Sequence, residues 1–210
     1  IIRDIKVEIN FEGGTGHFGD DRLRSRWFDP ILEDAFLNSE SLPKMDYDAR
    51  VRNLASSPTE ETGAEYLIIT PTSAPFLQWA DSIRRWRVRE GISMLVKTVT
   101  DVGGNTTTAI ENYINNAYNT WTIPPVAVLL LGDYGTDGSI NIISPIYNNY
   151  CVSDNIYADV NGDHLPDVIL ARITANNATQ LETMVSKGIR YERNPPTSAY
   201  FYSHPITALG

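Results

Sequence analysis

The sequence predicts an α/β fold, a mostly parallel sheet with helices on both faces, preceded by a small β-rich segment. Three observations carry this. From Glu65 onward, short apolar runs alternate with stretches of helical period, the rhythm of βα units. Those runs are continuous rather than alternating, as strands covered on both faces require. The preceding residues lack that rhythm and offer one alternating stretch, a glycine-rich loop and a proline-punctuated polar arm. The expected organisation is a β-rich segment and linker arm over 1–62 and an α/β unit over 63–210.

In the first segment, "DIKVEINF" sets Ile5, Val7, Ile9 and Phe11 at every second position, the period of a half-buried antiparallel strand. "EGGTGHFGDD" follows as a loop. "WFDPILEDAFLN" then places Phe28, Ile31, Leu32, Ala35 and Phe36 on one helical face. From Leu42 to Gly63 only Val51 and Leu54 offer apolar anchors among Pro43, Pro58 and polar residues, so an extended arm is expected.

In the α/β unit, "EYLIIT" (65–70) is the first strand. A helix over 76–90 carries Phe76, Trp79, Ile83 and Trp86 at intervals of three and four, and Gly91 is placed to close it. "SMLVKTV" (93–99) is the second strand. "DVGGN" turns into a helix over 106–121 with Ile110, Ile114, Ala117 and Trp121 on one face, and Thr108 with Glu111 offers a capping box. "PVAVLLLGD" (125–133) and Val168–Ile173 are the third and fourth strands. Asn176 is expected to cap a helix bearing Leu181, Met184, Val185, Gly188 and Tyr191, and "SHPITAL" (203–209) is expected as a fifth strand. Ligands of parallel sheets sit beyond the carboxyl ends of strands. The loops at Thr70, Asp101, Asp133 and Thr174 therefore mark the side where function is expected.

A formal net charge of −9 argues against nucleic acid or an anionic membrane as the main partner. "RRWRVRE" gathers Arg84, Arg85, Arg87 and Arg89 round Trp86, but spreads them about most of a helix circumference, which reads as a solvated face. The chain opens on Ile1 rather than Met and reads as an internal fragment or processed product. Cys151 is the single cysteine, which excludes an internal disulfide and a multi-cysteine zinc site. A cysteine nucleophile needs a thiolate within reach of a histidine. His17, His164 and His204 are the candidates, yet "YNNYCVSDN" has no basic group to lower the thiol pKa, so a semi-buried thiol is expected. There is no P-loop, no dinucleotide fingerprint and no nucleophile elbow. Asp133 ends an apolar strand either as an active-rim carboxylate or as the acceptor of an Asx turn, and both readings stay open.

The densest polar cluster is "YADVNGDHLPDVILAR". Calcium takes several hard oxygens converging from alternate positions of a tight loop. Asp159, Asn161, Asp163 and Asp167 match the first, third, fifth and ninth positions of such a loop. An EF-hand is excluded, because His164 stands where it needs Gly and Leu170 where it needs Glu. A looser calcium loop with a structural Ca²⁺, or a polar turn feeding a buried strand, remain the two readings.

The run "SDNIYADVNGDHLPDVILARITANNATQLETMVSKGIRYERN" resembles the gingipain-like cysteine peptidases, peptidase family C25. The resemblance rests on Ser153, Asp154 and Tyr157, on Asp163-His164, on Val168 to Arg172 and on Tyr191 to Asn194, with support from "EYLIIT", "WADSIRRWRVREGI" and "VAVLLLGD". It covers about 65 to 210 and implies a caspase-like α/β subdomain, with 1–62 as the end of a prodomain-like region. In that family the catalytic His stands in a Gly-His-Gly setting and the Cys follows a later strand, both in the second subdomain. Neither pattern occurs here, so the resemblance carries over no catalytic residue. It implies a noncatalytic scaffold, inactive alone, that partners the catalytic subdomain of the parent chain and its protein or peptide substrate, without nucleic acid or membrane insertion, in a secreted or cell-surface setting. The alternatives are a noncatalytic binding or adhesion module and a flavodoxin-like regulatory domain.

Overall fold

A computed structural model of the chain describes residues 4–8, 12–13, 19–49, 59 and 62–205. The chain divides into two compact units, Ile1–Met45 and Asp46–Gly210.

The first unit contains a 3-10 turn at Asp21–Leu23, capped by the Asp20 carboxylate, and helix α1 (Asp29–Ala35) with Pro30 in its first turn. The helix forms where the pattern predicts, but the expected apolar face is not what it buries: Ile31 and Phe36 are exposed, while Asp29 and Arg24 are buried. Arg24 forks onto the Asp29 carboxylate, with Nε at 3.0 Å and Nη2 at 2.5 Å from Oδ2, and Nη2 also donates to the Pro43 carbonyl. Only short elements are described in this unit, too little for a second apolar layer. The alternating stretch also departs from expectation: Asp4–Glu8 form no strand, and Ile5 and Val7 are 75% and 71% exposed. A strand needs a ladder partner for its backbone groups, and none is present among the described residues of this unit. Ile9, Phe11, His17, Val51 and Leu54 lie outside the described residues.

The second unit is the predicted α/β sandwich. Strands β1 (Tyr66–Thr70), β2 (Met94–Thr98), β3 (Ala127–Leu131) and β8 (Ile169–Ile173) form one parallel sheet in the order β2-β1-β3-β8. Helices α2 (Ala74–Arg89) and α5 (Ala178–Arg193) lie on one face, where Ile68, Leu129 and Leu131 pack with Phe76, Ile83, Leu181 and Val185. Helix α3 (Thr107–Thr120) covers the other, where Leu67, Ile69, Val128 and Leu130 meet Ile110, Ile114 and Trp121. The period of two along each strand thus feeds two cores. The chain moves from β1 to β2 and then back across β1 to β3, and right-handed crossovers in opposite directions put α2 and α3 on opposite faces.

The helix ends show how local chemistry sets boundaries. Gly91 (φ +80°) closes α2 as expected, with its N–H donating to Val88 and that of Ile92 to Arg87. Helix α3 is capped by Thr106, which accepts from the Ala109 N–H at 3.2 Å, rather than by Thr108 with Glu111. Thr106 has the extended backbone a cap requires, and Thr108 is already helical. The cap of α5 is Asn177, one residue later than expected, with Gln180 reaching back to the Asn176 N–H. Gly63 (φ +74°) passes so close to the chain after α3 that a Cβ would lie 2.2 Å from the Ile123 carbonyl oxygen.

Three short features escape the sequence pattern: β4 (Asp133–Tyr134) pairing with β5 (Asn141–Ile142), the hairpin of β6 (Ile146–Tyr147) with β7 (Cys151–Val152), and α4 (Asn155–Ala158). Two-residue strands are too short to display a period. The hairpin nonetheless had a signal in Asn148-Asn149, both at positive φ in the turn that Tyr150 closes onto Tyr147. The expected fifth strand is also corrected. Its first residue, Ser203, ends helix α6 (Ala199–Ser203), where Tyr200 stacks on His204 four residues on, and residues 206–210 lie outside the description.

Candidate functional site

In this strand order the crevice for a ligand is expected between the carboxyl ends of β1 and β3, where the direction of winding reverses. Here the chain itself fills it. Pro71 packs so closely on Gly132 that a Cβ there would stand 3.0 Å from Pro71 Cγ. The loop after β4 lies across the rim, with the Thr72 and Ser73 N–H groups donating to the Gly138 and Ser139 carbonyls. Asp133 Oδ1 accepts from the N–H of the next residue, Tyr134, at 2.8 Å rather than from the residue two on that an Asx turn uses, while its own N–H donates to Ala175. Asp101 is held similarly. Hydrogen bonds from the Thr98 backbone and hydroxyl keep its carboxyl below the ordinary range.

The layer beyond β3 and β8 is organised by Arg172. Its side chain, only 9% exposed, reaches Asp154 bidentately, Nε and Nη2 each at 2.7 Å from a carboxylate oxygen. Nη1 donates to the Gly132 and Ile142 carbonyls at 3.0 and 2.9 Å, and Nη2 to that of Ile143 at 3.4 Å. All five guanidinium donors are thereby engaged. Ser144 adds its hydroxyl to Asp154 at 2.6 Å, and the buried Tyr157 donates its phenol to Ile143. Burial works against the Asp154 anion, but the hydrogen bonds of Arg172 and Ser144 and the guanidinium charge outweigh it and hold the carboxyl below its ordinary range. Burial, reinforced by the Asp154 charge, pushes the Tyr157 phenol well above its own. Asn105 completes the brace, donating to Gly135 and accepting from the Ile143 N–H. An arginine with every donor engaged has none left for a substrate, so this arrangement holds loops in place.

Sequence reasoning missed this constellation, although Asp154, Tyr157 and Arg172 were among the residues that carried the resemblance. The signal was an arginine inside the apolar strand "VILARI", since a charge at such a position needs a buried partner. Cys151 is exposed on the two-residue strand β7, not semi-buried, because the small hairpin turns both of its strands outward. No hydrogen bond joins it to His164 or His204.

The stretch 159–167 forms a loop closed on itself. Asp159 Oδ1 accepts from the Gly162 N–H and Oδ2 from that of His164, which lies at φ +72°. Asn161 accepts from Asp163, Asp163 from Leu165, and Asp167 from Val160 and the Asn161 side chain. Among the described residues, no three His, Cys, Asp or Glu side chains are grouped to hold a metal ion.

Fold and site together define a parallel α/β unit whose ligand crevice is plugged and whose strand-end layer is braced by an arginine–carboxylate fork. A family model, peptidase family C25, matches residues 59–204, and the chain belongs to that family. It is 24% identical to Lys-gingipain of Porphyromonas gingivalis over 92% of its length, and 25% identical to gingipain R2 over 81%. The chain spans only 11% and 21% of those two relatives. The crystal structure of the Arg-specific cysteine proteinase gingipain R superposes with a TM-score of 0.51 at 24% identity, over 67% of this chain and 31% of that one. The complex of the Porphyromonas gingivalis RgpB pro- and mature domains gives 0.52 at 25% identity, over 62% and 29%. The expected fold class, a mostly parallel sheet covered on both faces, is borne out.

Proposed function

We propose that this chain is the amino-terminal, noncatalytic scaffold subdomain of a gingipain-like cysteine endopeptidase, with residues 1–62 the end of a prodomain-like region. The observation that carries this reading is the Arg172–Asp154 fork above a plugged switch point, a strand-end layer built for rigidity in which no cysteine–histidine pair stands among the described residues. In the parent protein, a thiolate outside this chain adds to the peptide carbonyl carbon. An imidazole gives its proton to the departing amine, and water then cleaves the thioester. This subdomain supplies one wall of the cleft and a fixed platform for the catalytic subdomain, its main partner, with protein or peptide as substrate. Association with another domain has a parallel in the complex formed by the pro- and mature domains of RgpB. A secreted or cell-surface setting belongs to the same proposal. Among the described residues, no helix is long and apolar enough to cross a membrane.

The test is peptidase activity. The isolated chain is expected to cleave neither lysyl nor arginyl peptide amides, and the parent protein carrying Cys151→Ala is expected to keep full activity. Turnover by the isolated chain that Cys151→Ala abolishes overturns the reading.

We also propose a structural Ca²⁺ on Asp159, Asn161, Asp163 and Asp167. It requires these oxygens to turn from the backbone N–H groups toward a common centre.

A further inference from the structure

The side of the second unit that bears α2 and α5 carries an open groove of ≈570 Å³ between the two helices. Two of the four residues of the predicted α2 stripe are not fully buried. Phe76 and Ile83 are buried, but Trp79 and Trp86 are half-buried and line this groove. Arg85, Arg89, Arg190 and Arg193 line it with them. Both helices run antiparallel to the strands they follow, so the groove lies toward the amino ends of the sheet, away from the Arg172 brace.

The helix dipole accounts for basic residues in a last turn, but not for two tryptophans between them, nor for unneutralised charge. Asp81 pairs with Arg84 and Arg85, and Glu90 and Glu192 pair with Arg87. Arg89 and Arg190 have no acidic partner among the described residues. One aromatic wall is already fixed: the Trp86 indole N–H donates to Glu192 Oε2 at 2.5 Å, and the Arg193 guanidinium stands 5.7 Å from the Trp86 ring. On a chain of net charge −9, this is a local cationic and aromatic site with unengaged guanidinium forks.

We propose that the groove docks an acidic peptide segment of a partner protein, its carboxylates on Arg89 and Arg190 and an apolar or aromatic side chain on Trp79 and Trp86. Guanidinium forks match carboxylates bidentately, and a pre-fixed indole face lowers the ordering cost of binding. A long polyanion fits less well, because beyond this short groove it would run over the acidic remainder of the surface.

The probe is a fluorescein-labelled octapeptide of glutamates interrupted by one leucine and one tyrosine, titrated with the chain and followed by anisotropy. Saturable binding is expected, weakening with salt. The glutamine version of the peptide and the Arg89→Glu/Arg190→Glu variant should each bind at least about tenfold more weakly. Lys187→Glu, a charge change on α5 outside the groove lining, should leave binding unchanged. If circular dichroism shows the double variant unfolded, Arg190→Gln and Trp79→Leu measured singly take its place. Equal binding of the glutamine peptide, undiminished binding by the variants, or tighter groove-dependent binding of an oligonucleotide of equal charge overturns the proposal.

Discussion

Each unit of this chain contains a bidentate arginine–carboxylate fork, nearly out of water in the first and with a partly exposed carboxylate in the second, and the two forks do different work. Arg24 and Asp29, 6% and 7% exposed, sit in a unit whose described residues are short turns and one helix with an exposed apolar face. Arg172 and Asp154 sit at the end of a sheet already closed by two apolar cores. A buried ion pair is weak evidence for stability, since desolvation offsets most of its Coulomb gain, but removing one partner leaves an uncompensated charge. The lesson is that what a fork contributes depends on what else holds its surroundings. The first ties its own segment together, whereas the second fixes the relative positions of loops that the sheet has already brought close.

The largest effect is expected at Arg172. Arg172→Ala strands Asp154 and frees the carbonyls of Gly132, Ile142 and Ile143 at once, which is expected to cost about 3–5 kcal/mol. Urea melts of the second unit should show it. A melt shifted by less than about 1 kcal/mol would reduce the brace to decoration. The next effect is Arg24→Ala, about 2–3 kcal/mol for the Asp29 carboxylate left without the Arg24 donors, but confined to its unit. Limited proteolysis between residues 20 and 45 should accelerate while the main thermal transition stays in place. If both variants shift the same transition equally, the contrast between a local and a global fork fails.

The sheet was legible because its strands are buried on both faces and its helices display their period, so that "EYLIIT" and "VAVLLL" need no tertiary information to be read. The braced site was only half legible. Arg172 betrays itself as a charge in an apolar strand, but its acceptors are backbone carbonyls on β-segments two residues long, and no side-chain pattern records where a carbonyl points. The switch-point plug was invisible for a related reason, since Pro71 and Gly132 look like ordinary loop residues until the fold stacks them. The described part of "DIKVEINF", residues 4–8, shows the converse, an alternation that specifies a strand only if a neighbour supplies the ladder. Trp79 and Trp86 follow the helical period faithfully and still stay half-buried, because period fixes a face and not the depth of what covers it.

A smaller effect separates the fork from the rest by pH. The Asp154 carboxyl lies below its ordinary value in the folded state and returns to it on unfolding. Its contribution is therefore fully present above the ordinary value of 3.8 and is lost as pH falls through the lower folded one. Stability measured by urea melts from neutral pH downward should fall below about pH 4, and Asp154→Asn should flatten part of that limb while lowering stability at pH 7. An acid limb unchanged by Asp154→Asn assigns the proton uptake to other carboxylates.

The smallest effect concerns the third way this chain satisfies carboxylates, by backbone N–H groups alone in the loop 159–167. Asp159 accepts there from Gly162 and His164, so Asp159→Asn is expected to cost about 1 kcal/mol, because an amide oxygen still accepts one of those donors and the guanidinium counter-charge of the two forks is absent. The same loop carries the calcium proposal, and the two contributions separate cleanly. A bound ion stabilises by mass action, so millimolar Ca²⁺ should raise the melting temperature of the chain and leave that of Asp163→Asn unmoved, whereas Mg²⁺, which demands a tighter octahedral site, should do less. A melting temperature indifferent to Ca²⁺ in both proteins leaves the loop as a turn closed by its own backbone, in which Asp159 works as Thr106 does at the start of α3, by accepting backbone N–H groups with its side-chain oxygen.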